Sequence, residues 1–362
     1  MKRAIAIYLP QFHPVPENDE WWGSGFTEWR NVAKAKPRFE GHYQPHHPAD
    51  LGFYDLRLHE TQIAQAELAK AHGIHGFCYY HYWFNGKRIL ENPVDQMMEK
   101  GTPDFPFCFC WANENWTRRW DGRDEAVLLR QEYSAEDDVE HINFLFRYFS
   151  DSRYIRVNGK PVFVVYRPSL FPDMKATTER WRNECRKAGI GEIYLAGMRS
   201  FGNFRDPVEY GFDAAIEFQP DFSALPETRH LNAGIAALFN KFKMANAATR
   251  NDPSKDRIFF YDEVVDKMMA RTKPAQKIFP GVFPMWDNSA RREAGATIIH
   301  GSTPEKYGSW LEHTVKQFEP FSPDENFIFI NAWNEWAEGN HLEPCLKWGK
   351  KYLEATKRAL RG

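Results

Sequence analysis

The sequence predicts a closed (β/α)8 barrel, and three observations carry that expectation. Eight short β-rich runs recur along the chain, helix-length segments separate them, and no Gly-rich turn follows the first run. A doubly wound dinucleotide-binding sheet would place a GxGxxG there, where the chain instead reads YLPQFHPVPEN. Length alone allows one large barrel or two ordinary domains. No low-complexity segment or Pro/Ser linker marks a boundary, so residues 1–362 are read as one domain.

The runs fall in order. Residues 4–9 (AIAIYL) form the first strand, and 55–72 an amphipathic helix ended by Gly73. Residues 74–83 (IHGFCYYHYW) are the second strand, followed by a helix at 92–100. The third, 105–111 (FPFCFCW), leads through a long loop to a helix at 135–149. The fourth is 161–166 (PVFVVY), with a helix at 173–188 that stops at Gly189. The fifth is 193–198 and the sixth 214–218. The seventh, 280–285, is weaker, with its helix at 303–318. The eighth is 327–332 (FIFINA), with a closing helix at 349–360. Residues 220–277 exceed a normal βα connection and read as an insertion, a lid or extra helices over the mouth.

Bulk properties exclude several partners. A formal net charge of −2 attracts neither nucleic acid nor an anionic membrane. No run approaches a membrane span, and MKRAIAIYLPQF is too short a basic-apolar start for a signal peptide. The five cysteines, odd in number and without a CxxC, suit reduced thiols in a cytoplasmic protein. His42, His46 and His47 in GHYQPHHP lack acidic partners at ligand spacing, so neither a metal nor a cofactor is expected. Arg118-Arg119 and Arg291-Arg292 are candidates to grip an anionic substituent, although solvated loop arginines are commoner.

Barrel sites lie at the C-terminal ends of the strands. Most strands here end in aromatics mixed with polar residues, the fifth being the exception. The first ends at Tyr8 and His13, the second at Tyr80, His81 and Trp83, and the third at Trp111, Asn113, Glu114 and Trp116. The seventh ends at Trp286, and the eighth at Trp333, Asn334 and Trp336. Flat aromatic faces beside hydrogen-bonding groups suit sugar rings, which present apolar C–H faces between hydroxyls. Glu114, bracketed by Asn and Trp, is the hardest of these to explain as core.

Glu335 and Glu338 close the eighth strand. Acetal cleavage needs one group that protonates the leaving oxygen and another that attacks or activates an attacker. Two carboxylates divide those roles when their environments push their pKa values apart. A spacing of three sends side chains to opposite faces of a regular strand. Both therefore reach one cleft only if the chain has already turned, and Gly339 supports a turn. Glu343 before Pro344 is a third and weaker candidate, which reads rather as structural.

Taken together, YLPQFHP, WWGSGFTEW, FCYYHYWF, WANENW and NAWNEWAEGNHLEP resemble the WbsX-like family of polysaccharide biosynthesis clusters, related to glycoside hydrolase family 99. The resemblance runs from the first strand to the eighth. It implies a barrel acting as a retaining endo-α-mannosidase, with its glutamates in Glu-x-x-Glu at Glu335 and Glu338. Glu335 would draw the proton from the sugar 2-OH, so that O2 attacks C1 to give a 1,2-anhydro sugar. Glu338 would protonate the leaving oxygen and then activate water. The 2-OH must be trans to the leaving group, as in α-mannosides and α-rhamnosides.

The leading expectation is thus a retaining glycosidase whose partner is an oligosaccharide or polysaccharide. A glycosyltransferase or transglycosylase of O-antigen or cell-surface polysaccharide synthesis is the alternative. Against a nucleotide-sugar enzyme of the usual kinds, the chain holds no Asp-x-Asp triplet. A non-catalytic glycan-binding protein is the third reading.

Overall fold

The computed structural model describes residues 2–118, 123–199, 205–228 and 256–362. Its centre is a barrel of parallel strands, which we number β1 (Arg3–Tyr8), β2 (Ile74–Phe84), β3 (Phe107–Trp111), β4 (Lys160–Val165), β5 (Tyr194–Arg199) and β6 (Ala214–Glu217). The seventh, β7, comes as two dipeptides, Ile278–Phe279 and Gly281–Val282, and β8 is Phe327–Ile330. Neighbours pair in sequence order from β1 to β6. β8 pairs with β1 in register Ala4↔Ile328.

The weak seventh run closes the ring in two halves. Ile278–Phe279 pairs with β6, whereas Gly281–Val282 pairs with β8. Pro280 separates them because it has no N–H to give a ladder. Its carbonyl still accepts from the Phe329 N–H at 2.9 Å. Both faces of the sheet are covered, so the strands read as continuous apolar runs rather than alternations. FCFCW in β3 and FIFI in β8 are buried at every position. The layer between the sheet and its outer helices is filled by rings, with Phe77 5.1 Å from both Tyr8 and Trp333.

Helices Ala135–Phe149, Met174–Lys187 and Pro304–Gln317 lie where helical periodicity puts them. Each starts at a side-chain cap: Ser134, Asp173 and Thr303 accept the N–H of Asp137, Ala176 and Lys306. The β5–β6 connection departs from the regular alternation, since its described part forms only the 3-10 turn Pro207–Tyr210. Of the expected insertion at 220–277, residues 229–255 lie outside the described residues. A strand, Arg257–Phe260, and a helix, Tyr261–Met269, come next in the chain. That strand pairs with Thr297–His300, which in turn pairs with Trp286–Asp287. The small sheet so formed stands beside the C-terminal mouth of the barrel.

Gly281 lets the split strand close. A Cβ there would sit 1.9 Å from the Glu217 carbonyl oxygen, a clash with backbone that no rotamer relieves. Gly281→Ala is expected to destabilise the fold by about 2–3 kcal/mol, the scale of overpacking a tight interior. Urea unfolding measures it, and a loss below about 0.5 kcal/mol would mean that β6 and β7 are not so closely apposed.

Candidate active site

The chain turns immediately after β8. Asn334–Glu335 pairs antiparallel with Asn340–His341, and Trp336–Glu338 forms a 3-10 turn between them. Gly339 closes this hairpin at φ 56°, in the left-handed region, with Asp287 backbone 3.1 Å from where a Cβ would be. The hairpin is fastened from below. Asn334 accepts the Leu9 N–H at 2.8 Å and donates back to the Leu9 carbonyl at 3.0 Å. Trp336 stacks on His341 and donates its indole N–H to Glu343 at 2.6 Å.

Glu343 is a buried post under the site. Tyr54 donates to it at 2.8 Å and Gln65 at 2.6 Å, while Tyr8 donates to the same Gln65 at 2.7 Å. Burial pushes the Glu343 carboxyl up to about 7, against the pull of the donors converging on it. Glu343, which the sequence also offered as a third and weaker candidate, does not line the cavity at the barrel mouth.

The turn brings Glu335 and Glu338 to one guanidinium. Arg291 contacts Glu338 at 2.6 Å through Nη1 and Glu335 through Nη2. Its Nε and Nη2 also clamp Glu28 from the first βα loop, at 2.5 and 2.6 Å, and Gln11 donates to the same carboxylate. Burial raises the proton affinity of Glu335 well above the carboxylate range; Arg291 opposes the rise, while Glu338 and Glu28 add to it. Burial lifts Glu28 in the same way, again against Arg291. Arg291 is therefore no solvated loop arginine.

These groups sit at one end of a cavity of about 540 Å3 at the C-terminal mouth. Of the residues expected from the sequence, Tyr80, Glu114, Trp116, Trp286, Glu335 and Glu338 line it. Glu114 is ion-paired with Arg167. Tyr82, Tyr166 and Phe222 add aromatic wall, and Arg257, Asn288 and Arg292 occupy the side formed by the small sheet.

The other expected residues pack outside this lining. Tyr8 turns outward to Gln65 on the helix His59–Ala71, and Trp333 is wholly buried beside Phe77. His81 meets His141 at 3.0 Å, and Trp83 donates to Asp137 at 2.8 Å. Trp111 is buried against His141, and Asn113 binds Tyr133 and the Arg167 backbone. His13 is buried near Asp55, and its proton affinity is depressed to about 4, chiefly by burial. Asn334 and Trp336 hold the hairpin rather than line the cavity. His42 bonds Asp287 at 2.7 Å and His46 bonds His341 at 3.0 Å. Among the described residues no group of three or more His, Cys, Asp or Glu is arranged to hold a metal.

Sequence reasoning passed over Glu28 as a site residue and gave Arg291 a different partner, an anionic substituent or solvent. Glu28 carried a signal, a carboxylate beside Trp29 in WWGSGFTEW, like the motifs at other strand ends. Arg291 stood out only as half of an Arg-Arg pair suited to an anionic substituent, because its burial among carboxylates depends on two distant loops.

Residues 4–356 match the family model described as glycosyltransferase WbsX. Curated relatives named uncharacterized protein WxcX, from two strains of Xanthomonas campestris pv. campestris, are 45% identical over 357 residues. The match covers 98% of this chain and 49% of theirs, so the chain spans about half the length of the curated relatives it matches. A solved glycoside hydrolase-like protein superposes with a TM-score of 0.60 at 16% identity, covering 99% of this chain and 94% of its own. The GH99 endo-alpha-mannosidase from Bacteroides thetaiotaomicron in complex with BIS-TRIS-Propane gives 0.58 at 14% identity, covering 99% and 96%. At such identities these two likenesses concern the fold.

Removing the cation tests the clustering. Arg291→Gln leaves three carboxylates facing each other in a buried space, and loss of one partner from a buried ionic cluster costs about 3–5 kcal/mol. The folded-state pKa values then stand above those of the unfolded chain. Stability is retained below the usual carboxylate range and lost as pH rises through the elevated values. Urea unfolding should accordingly find the variant far weaker than wild type at pH 8 and much closer to it at pH 4.5. An equal loss at both pH values would deny the electrostatic role.

Proposed function

The chain belongs to the glycosyltransferase WbsX family, and we propose that it is a carbohydrate-active enzyme, a glycosidase that cleaves α-mannoside- or α-rhamnoside-type linkages with retention. The observation that carries this reading is the convergence of Glu335 and Glu338 on Arg291 at the end of a cavity walled by Tyr80, Trp116 and Trp286. Two carboxylates of unlike burial are the minimum equipment for splitting an acetal.

The roles follow the Glu-x-x-Glu resemblance. Glu335 takes the proton of the sugar 2-OH, and O2 attacks C1 as the bond to the leaving oxygen breaks. Glu338 gives that oxygen its proton. Water then yields a proton to Glu338 and opens the 1,2-anhydro ring at C1, while O2 recovers its proton from Glu335. Two inversions at C1 amount to retention. Burial suits Glu335 to this task, since a carboxylate of raised proton affinity is the stronger base once ionised. Arg291 favours that ionised form. Glu338, 23% exposed, stands nearer to solvent, where an exchanging acid belongs.

The family description favours a second reading, in which a sugar hydroxyl replaces water as acceptor and the same pair performs transglycosylation. Both readings make an oligosaccharide or polysaccharide the partner. Among the described residues no helix is long and apolar enough to cross a membrane. All five cysteines are buried and free, which supports a reducing, cytoplasmic setting.

Glu335→Gln and Glu338→Gln should each lower kcat on an activated α-mannoside or α-rhamnoside by about 10³-fold or more, the scale of losing a positioned acid or base. Sugar binding should persist. In wild type, turnover should rise with pH as Glu335 ionises, at a pH above the usual carboxylate range. Full activity in either variant would sink the two-carboxylate assignment. Mass analysis of glycan products with and without nucleotide sugars separates the readings: chain growth that requires a nucleotide sugar would replace the glycosidase with a transferase. Binding without any product would leave a lectin.

A further inference from the structure

We propose that the wall of this cavity formed by the small sheet is a subsite for an anionic group on the glycan, a carboxylate or a phosphate, with Arg257 as its principal ligand. The inference rests on the reading of the cavity as a glycan site, and it names the class of sugar that the site prefers.

The wall presents donors. Arg257 lies opposite Thr297 in the sheet register and spends one N–H on the Thr297 hydroxyl at 2.7 Å. No carboxylate pairs with Arg257 among the described residues, and its residue is exposed at the cavity rim. Asn288 has its amide orientation fixed, because Oδ1 accepts the Thr297 N–H at 2.8 Å. That leaves Nδ2 as a donor with no acceptor among the described residues. Trp286, only 4% exposed, gives this wall its aromatic face. Arg292 lines the same side.

Such a set fits a group that offers lone pairs and no protons. A guanidinium has donors in a planar fork and no acceptor, and it matches carboxylate or phosphate oxygens in pairs. A neutral hydroxyl satisfies one donor but cannot pair both prongs of a guanidinium at once. Glu335 and Glu338 share Arg291 with Glu28, so the wall that carries Arg257 and Arg292, rather than the carboxylate end, is where the cavity favours an anion. Arg167 is likewise committed to Glu114 on another part of the lining. Arg257 is thus a guanidinium of the lining that the described residues leave without a carboxylate.

The test is calorimetric and independent of turnover. The full chain is titrated with methyl α-mannoside, methyl α-mannuronide and mannose 6-phosphate at 50 mM and 500 mM salt. At low salt at least one anionic sugar should bind tenfold or more tightly than the neutral parent, and that advantage should shrink at high salt. Preference for the uronide identifies a sugar carboxylate, and preference for the phosphate identifies a phosphate monoester. Arg257→Gln should abolish the preference, and Arg257→Lys should restore part of it by keeping the charge without the fork. Equal affinity for neutral and anionic sugars, or a preference that survives Arg257→Gln, would overturn the subsite. A chain that binds acidic sugars but cleaves none would sink the glycosidase reading and leave this one standing. Cleavage of neutral glycosides without anion preference would do the reverse.

Discussion

Three carboxylates around one buried guanidinium are the constraint on which the rest of the site depends. Glu28 comes from the first βα loop, Arg291 from the segment after the seventh strand, and Glu335 and Glu338 from the hairpin after the eighth. None of the carboxylates can be buried ionised alone, since the desolvation cost exceeds what a water-free interior returns. Arg291 makes their assembly possible and joins three loops of the barrel mouth by doing so. The cluster also carries an excess of negative groups over positive ones, and that excess, together with burial, drives Glu335 toward the proton-bound form.

The hairpin that delivers the pair is itself a consequence of buried polar chemistry. Glu343 has donors from Tyr54, Gln65 and Trp336, which come from different parts of the chain. A lone carboxylate in that position would be costly, but one that fixes several donors removes as many unsatisfied groups as it introduces. Because Trp336 lies between Glu335 and Glu338, anchoring its indole sets the direction in which both carboxylates leave the turn. Gly339 then reverses the chain where a side chain would meet Asp287. The placement of both carboxylates is held by groups that do not line the cavity.

Much of this was legible in the sequence, and the boundary between legible and hidden is physical. The barrel could be read because each strand is a local apolar run and several helices carry their own caps, as Ser134, Asp173 and Thr303 do. β7 was faint because its closure depends on Pro280 and Gly281 meeting β6 and β8, which is a matter of tertiary fit. Strand ends located the cavity but did not sort wall from core. Tyr80 and Tyr82 reach the cavity, whereas His81 and Trp83, one residue along in each case, turn to the other face and pack on the helix of His141. Alternation on a strand that is buried on both sides leaves no polarity contrast to read. Arg291 was hidden for a different reason: a charge in a loop looks solvated until its distant partners are known.

The same arginine resolves an apparent conflict in the proposed chemistry. A base must be ionised to act, yet burial and two neighbouring carboxylates favour the protonated form of Glu335. Arg291 opposes that tendency at the oxygen it contacts, so proton affinity stays high without the ionised state being excluded. When a sugar 2-OH approaches, the proton it gives to Glu335 relieves the repulsion between Glu335 and Glu28 around Arg291, and Glu28 keeps the guanidinium matched while Glu338 holds the proton meant for the leaving oxygen. The negative charge moves outward onto O2 and then onto the leaving oxygen, where Glu338 meets it with a proton. In the proposed cycle, relief of the repulsion between Glu335 and Glu28 is thus coupled to advance along the reaction, so the electrostatic cost of placing both beside Arg291 becomes part of the driving force for the first proton transfer.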